Sequence, residues 1–99
     1  MEKTLNNTTA NKAKDQVADL SIWGNGDTFK LICKESSKNE GWMKSTKAMQ
    51  IDNIGCVIQI TTQQNNNIAE AITFVPNVKI EEIFNDEGNV ISRKLISAF

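Results

Sequence analysis

The feature that most constrains this chain is a change of hydrophobic period. After Asp27 the apolar positions recur every second residue, and they do so to the C-terminus in short segments separated by turn residues. A period of two places alternate side chains on opposite faces of a strand. Residues 28–35 set Phe29, Leu31 and Cys33 against Lys30, Ile32 and Lys34. Residues 42–51 bring Met43, Met49 and Ile51 onto one face. Residues 56–63 alternate Cys56, Ile58 and Ile60 with Val57, Gln59 and Thr61. Residues 68–75 alternate Ile68, Glu70, Ile72 and Phe74 with Ala69, Ala71, Thr73 and Val75. Pro76 and Asn77 interrupt the pattern, and residues 78–84 and 90–96 form a last hairpin around Asn85, Asp86, Glu87 and Gly88. The intervening loops are rich in Asn, Asp, Ser and Gly, the residues that tight turns require. Five or six antiparallel strands in meander order are therefore expected, curling into a small barrel or a strongly bent sheet.

Before Asp27 the period is helical. Ala10, Ala13, Val17 and Leu20 fall at spacings of three and four, which predicts a helix over about 9–22 with a thin, Ala-rich apolar stripe. Such a helix needs a surface to lie on, either its own sheet or a second subunit. Trp23, Gly24, Asn25, Gly26 and Asp27 end it. The Gly-Asn-Gly run precedes a strand and lacks a third glycine, so it does not read as a phosphate loop. Residues 1–8 are polar and read as a flexible N-terminus. The expected organisation is α+β: one domain over 9–99, with the helix first and the meander over about 28–96.

Chemistry is constrained by what the chain lacks. Among its 99 residues there is no histidine and no tyrosine. The commonest general base and metal ligand is therefore absent, and Cys33 and Cys56 have no imidazole to activate them. Two cysteines without histidine do not make a zinc site within one chain. Glu81 and Glu82 are neighbours on a strand and point to opposite faces, so they do not converge as a carboxylate pair. No enzyme activity, no metal and no cofactor is expected. Both cysteines lie in apolar runs and read as buried small hydrophobes.

The formal net charge is −1, which argues against a duplex nucleic-acid partner. No run approaches the roughly 18 apolar residues of a membrane span. Residues 1–7 lack the apolar core of a secretion signal, so a cytoplasmic location is expected. A domain of this size buries a limited share of its surface, and homo-oligomerisation is the expected source of further burial. Val17, Leu20, Trp23 and Phe99 are the candidate interface residues. For Trp23, anchoring in the core is the competing role.

The candidate ligand surface is the lysine-rich stretch from Lys30 to Lys47. It holds Lys30, Lys34, Lys38, Lys44 and Lys47 with Trp42 among them, and Lys30, Lys34, Trp42, Lys44 and Lys47 are the candidate contacts. Cations beside an indole suit a base stacked on the ring with its phosphate on lysine. If the first two strands pair, Lys30 and Lys34 are expected on one face, with Lys44 beside Trp42 on the second strand. The competing reading is a solvated outer face whose lysines protect the sheet. Gln59, Thr61, Gln63 and Thr73 form a second polar group that could line one face.

Three runs carry a resemblance: Ser21-Ile22-Trp23-Gly24-Asn25-Gly26-Asp27, Glu40-Gly41-Trp42-Met43-Lys44-Ser45-Thr46-Lys47-Ala48-Met49 and Ala69-Glu70-Ala71-Ile72-Thr73-Phe74-Val75-Pro76. Together they resemble a group of small accessory proteins encoded by tailed bacteriophages, and the similarity spans most of the chain beyond residue 8. The resemblance implies a protein of the host-cell cytoplasm that counteracts a host defence. Sequestration of a (cyclic) nucleotide immune signal is the leading expectation. The alternatives are an inhibitor that binds a host defence protein, and a single-stranded nucleic-acid binder with an OB-like barrel.

Overall fold

The computed structural model describes residues 10–99. The protein is mostly β, with six antiparallel strands in two sheets and little helix. Helix α1 spans Ala10–Gln16. Strands β1 (Lys30–Ser37), β2 (Trp42–Ile51), β3 (Gly55–Gln64) and β4 (Asn67–Pro76) form a four-stranded meander in the order β1-β2-β3-β4. Strands β5 (Val78–Phe84) and β6 (Val90–Ser97) form a separate two-stranded sheet.

The turns are built by the residue types that tolerate left-handed backbone. Asn53, Asn65 and Asn77 all have positive φ, between 55° and 68°. At the tip of the last hairpin, Asn85 Oδ1 accepts hydrogen bonds from the amides of Glu87 (2.9 Å) and Asn89 (3.0 Å). That is the local bonding which makes asparagine a turn former. Asn77 alone separates β4 from β5, and at this one-residue corner the chain leaves the first sheet for the second.

Pairing register divides the side chains of the large sheet between two faces. Ala48 lies opposite Ile58, and Cys56 opposite Val75. Ala48, Cys56 and Ile58 form the buried core, with Ile32, Val75, Val78, Ile80 and Leu95 packed against it. The β5–β6 hairpin therefore covers one half of one face. The other face carries Met43, Ser45 and Thr61, all buried, in line with Lys47 and Gln59.

Three expectations are corrected. Among the described residues the helix expected over 9–22 spans Ala10–Gln16 and stops six residues short of its expected end. Beyond Gln16 the stretch holds Val17, Asp19, Ser21 and Ile22, which favour helix less than the alanines before them. Its Ala-rich stripe also has little to bury. The strands do not close into a barrel, because the corner at Asn77 sends the last two into their own sheet. Lys30 and Lys34 do not share a face. The register shifts between Leu31 and Cys33, so Lys30 lies opposite Ala48 while Lys34 lies opposite Ser45, a residue of the other face. One extra residue in a strand exchanges the faces of everything beyond it.

Cys56 is buried as expected, and its Sγ contacts the Val78 carbonyl at 3.6 Å. Burial raises its pKa, which makes it an inert thiol. Cys33 is exposed and free, contrary to the expectation of two buried cysteines, because its strand is an edge. The flexible N-terminus expected over 1–8 lies outside the described residues.

The corner supplies a stability test. A Cβ on Gly55 would lie 2.3 Å from the Val75 carbonyl oxygen and 2.8 Å from Pro76 Cα, both of them backbone atoms. Gly55→Ala is expected to destabilise the fold by about 1–3 kcal/mol, the usual cost of overpacking, whereas Gly88→Ala meets no atom within 4 Å and differs by backbone strain alone. Chemical denaturation of the two variants measures the difference.

Candidate functional site

A half-open cavity of about 750 Å³ lies among the described residues where the N-terminal segment meets the β1 edge of the large sheet. Residues from six parts of the chain meet there. Helix α1 contributes Ala10, Lys12 and Ala13, and the following segment contributes Trp23, Asp27 and Phe29. Lys30 and Leu31 come from β1, Lys47 from β2, Gln59 from β3 and Arg93 from β6. The volume lies in the range that holds small organic ligands.

Local structure explains how these side chains are held. Asp27 Oδ1 accepts the Ala10 amide at 2.8 Å, so the residue that follows the Gly-Asn-Gly loop caps the start of α1. Asn25 Oδ1 accepts the Asp27 amide at 2.9 Å and sets that loop. A Cβ on Gly26 would lie 2.8 Å from Ala10 Cβ, so the helix start and the loop are in close contact. On the far side, Arg93 Nε is paired with Glu82 at 2.8 Å, and its Nη1 donates to the Leu31 carbonyl at 3.1 Å. Arg93 thereby ties the hairpin to the β1 edge and fixes the wall of the cavity.

Basic side chains predominate. Lys12, Lys30, Lys47 and Arg93 line the cavity with the carboxylate of Asp27, and Arg93 is already paired with Glu82 behind the wall. Lys47 is half-buried, and desolvation lowers its pKa below the ordinary 10.5 even though Asp27 pulls it upward. Gln59, directly opposite Lys47 in the register, adds an amide to the same wall. The next pair along that face is Ser45 and Thr61. Both are buried, and among the described residues Ser45 Oγ has no hydrogen-bond partner.

The lysines singled out from sequence are divided among three places. Lys30 and Lys47 both line the cavity, although the register places them on opposite faces of the sheet at its β1 edge. Lys44 and Trp42 lie two residues apart on the hairpin-facing side, near the end of the sheet, with Trp42 Nε1 donating to Glu40 at 3.1 Å. Lys34 is exposed on the opposite face, across from Ser45. Gln59, Thr61 and Gln63 do share a face, but Thr73 lies opposite Ile58 and belongs to the other. Trp23, for which a core position was one option, is 98% exposed at the cavity rim. Of the other interface candidates, Phe99 is 93% exposed, Val17 is exposed and Leu20 is partly buried. Sequence reasoning did not find Lys12, Asp27 or Arg93. Their meeting depends on the corner and the loop, which bring together residues more than sixty positions apart.

A smaller cavity of about 480 Å³ lies between turn residues Lys38, Glu40 and Asn65 and the end of β3 at Gln63. No group of His, Cys, Asp and Glu among the described residues could hold a metal ion, and no helix among them is long and apolar enough to cross a membrane.

The Lys47 environment has a measurable consequence. Its folded-state pKa is lowered, so between that value and 10.5 the unfolded chain holds more protons, and stability rises with pH there. Below the lowered value the desolvation cost is fully present. Lys47→Met is therefore expected to melt no lower than the parent at neutral pH and to lose the alkaline gain. Thermal melts from pH 7 to 11 would detect both effects.

A model of the Lockin family matches residues 1–96, nearly the whole chain, and the chain belongs to that family. Neither the curated proteins nor the solved structures furnish a match.

Proposed function

We propose that this Lockin-family protein is a non-enzymatic binding protein that captures a small anionic ligand of the nucleotide class at the β1-edge cavity. One observation carries the reading: a chain of net charge −1 gathers Lys12, Lys30 and Lys47 with Asp27, and Arg93 in its pair with Glu82, around a cavity of about 750 Å³. Concentrated positive charge between low-dielectric walls selects an anion. Lys30 and Lys47 hold its phosphate, and Trp23 at the rim offers its ring to a base. An anion in the cavity offsets the desolvation that lowers the Lys47 pKa and adds to the attraction that Asp27 already provides. The mechanism is stoichiometric capture, with no bond made or broken. In the phage setting that the sequence resembles, the captured molecule is a (cyclic) nucleotide signal of host immunity, intercepted in the host cytoplasm.

Calorimetric titration with ATP, cyclic AMP and cyclic di-GMP tests the reading, together with native mass spectrometry of protein purified from host cells. At least one probe, or a retained nucleotide-sized mass, is expected at a fixed ratio to the chain. Lys30→Gln and Lys47→Met are each expected to weaken binding roughly tenfold to a hundredfold, the worth of a hydrogen bond to a charged group. Trp23→Ala is expected to weaken it as well, and Trp42→Ala to leave it unchanged. Affinity is expected to fall on the alkaline side at a pH below the ordinary lysine range, as Lys47 loses its proton. No retained mass and no binding by any probe would exclude the proposal. Loss on Trp42→Ala alone would move the site to the Trp42–Lys44 surface.

A further inference from the structure

The two edges of the four-stranded sheet are treated differently. Strand β1 has the features with which natural sheets protect an edge. It carries Lys30, Lys34 and Glu35, it is bulged between Leu31 and Cys33, and Arg93 occupies its Leu31 carbonyl. Strand β4 has almost none of them. It pairs with β3 on one side, and among the described residues no strand pairs with the other. It runs for ten residues with no register shift, it holds one charged residue, Glu70, and every residue except Val75 is exposed. Ile68, Ile72 and Phe74 share one face and stand 62%, 64% and 46% exposed.

We infer that β4 is a self-pairing edge, on which a second copy of this chain docks its own β4 antiparallel to join two four-stranded sheets into one of eight. The strand is its own complement. A two-fold axis perpendicular to the sheet at Ile72 sets Ile72 opposite the partner's Ile72, and Glu70 opposite the partner's Phe74. The two Glu70 carboxylates then lie four residues apart along the strands, about 13 Å at the usual rise, so like charges do not meet. The apolar stripes of the two copies become continuous, and the outward amides and carbonyls of both strands find partners. The lone chain has reason to need this, since its buried hydrophobic core among the described residues is only Ala13, Met43, Ala48, Cys56 and Ile58.

Sedimentation velocity on the full chain tests the inference across a range of concentrations. The wild type is expected as a dimer. Ile72→Lys, which would set two ammonium groups opposite each other, is expected to sediment as a folded monomer. Ile91→Lys changes an equally apolar residue, 62% exposed on the β5–β6 hairpin, and is expected to remain dimeric. If Ile72→Lys does not fold, oxidation decides. In a Cys33→Ser background, Ile72→Cys is expected to form a covalent dimer and Ile91→Cys is not. A monomeric wild type would overturn the inference and leave the edge to a strand of a different protein. An unchanged mass for folded Ile72→Lys, or cross-linking through Ile91→Cys in place of Ile72→Cys, would also overturn it.

Discussion

The structure depends on the corner at Asn77. One residue with left-handed backbone turns the chain out of the four-stranded sheet and into the β5–β6 hairpin. Two hydrogen bonds fasten it: the Asn77 amide donates to the Ile54 carbonyl at 2.9 Å, and the Asn77 carbonyl accepts from Ala98 at 2.9 Å. The β2–β3 turn, the end of β4 and the C-terminal segment are thus tied at one point. Gly55 lies beneath, where any side chain would strike the backbone of Val75 and Pro76. From there the hairpin is held over the sheet by apolar contact with Ala48, Cys56 and Ile58, and by Gln50 Oε1, which accepts the Ile80 amide at 2.8 Å.

A two-stranded hairpin is narrower than the four-stranded sheet it covers, and that mismatch divides the molecule. The end where the hairpin reaches the β1 edge gains Arg93, a closed edge and a cavity wall. The far side of the sheet gains nothing, so β4 keeps its open backbone and exposed isoleucines. Charge follows the same division. Cations collect at the covered edge, and the uncovered edge carries one carboxylate.

The strands were legible because period two and asparagine-rich turns are local signals. The alternation read from β3 and β4 is the one the register shows, and the hairpin at Asn85 forms where its turn residues stand. The bulge was not legible. Ile32 is a good strand residue, and nothing beside it announces an extra position, yet that position separates Lys30 from Lys34. The helix was over-read because spacing counts apolar positions without asking what they bury. Alanines at Ala10 and Ala13 support two turns and no more. For the candidate site, lysine density drew attention to Lys30 and Lys47, which both line the cavity. The same density drew in Lys34 and Lys44, which the pleat and the bulge send elsewhere. Arg93 carried no signal at all, because its role comes from a packing event between two sheets.

The two ends of the molecule fit a single design. Pairing through β4 would leave each cavity at an outer end of the eight-stranded sheet, with the two β1 strands seven spacings apart, about 34 Å. No residue of one copy would reach the ligand of the other. Any coupling between sites would then have to travel through the sheet. Assembly and capture are therefore separable tasks. The proposed dimer would supply burial that a small chain lacks, and each chain would keep the proposed site to itself. That arrangement suits a protein working by stoichiometric capture, whose capacity should scale with the number of chains present and not with the occupancy of a neighbour.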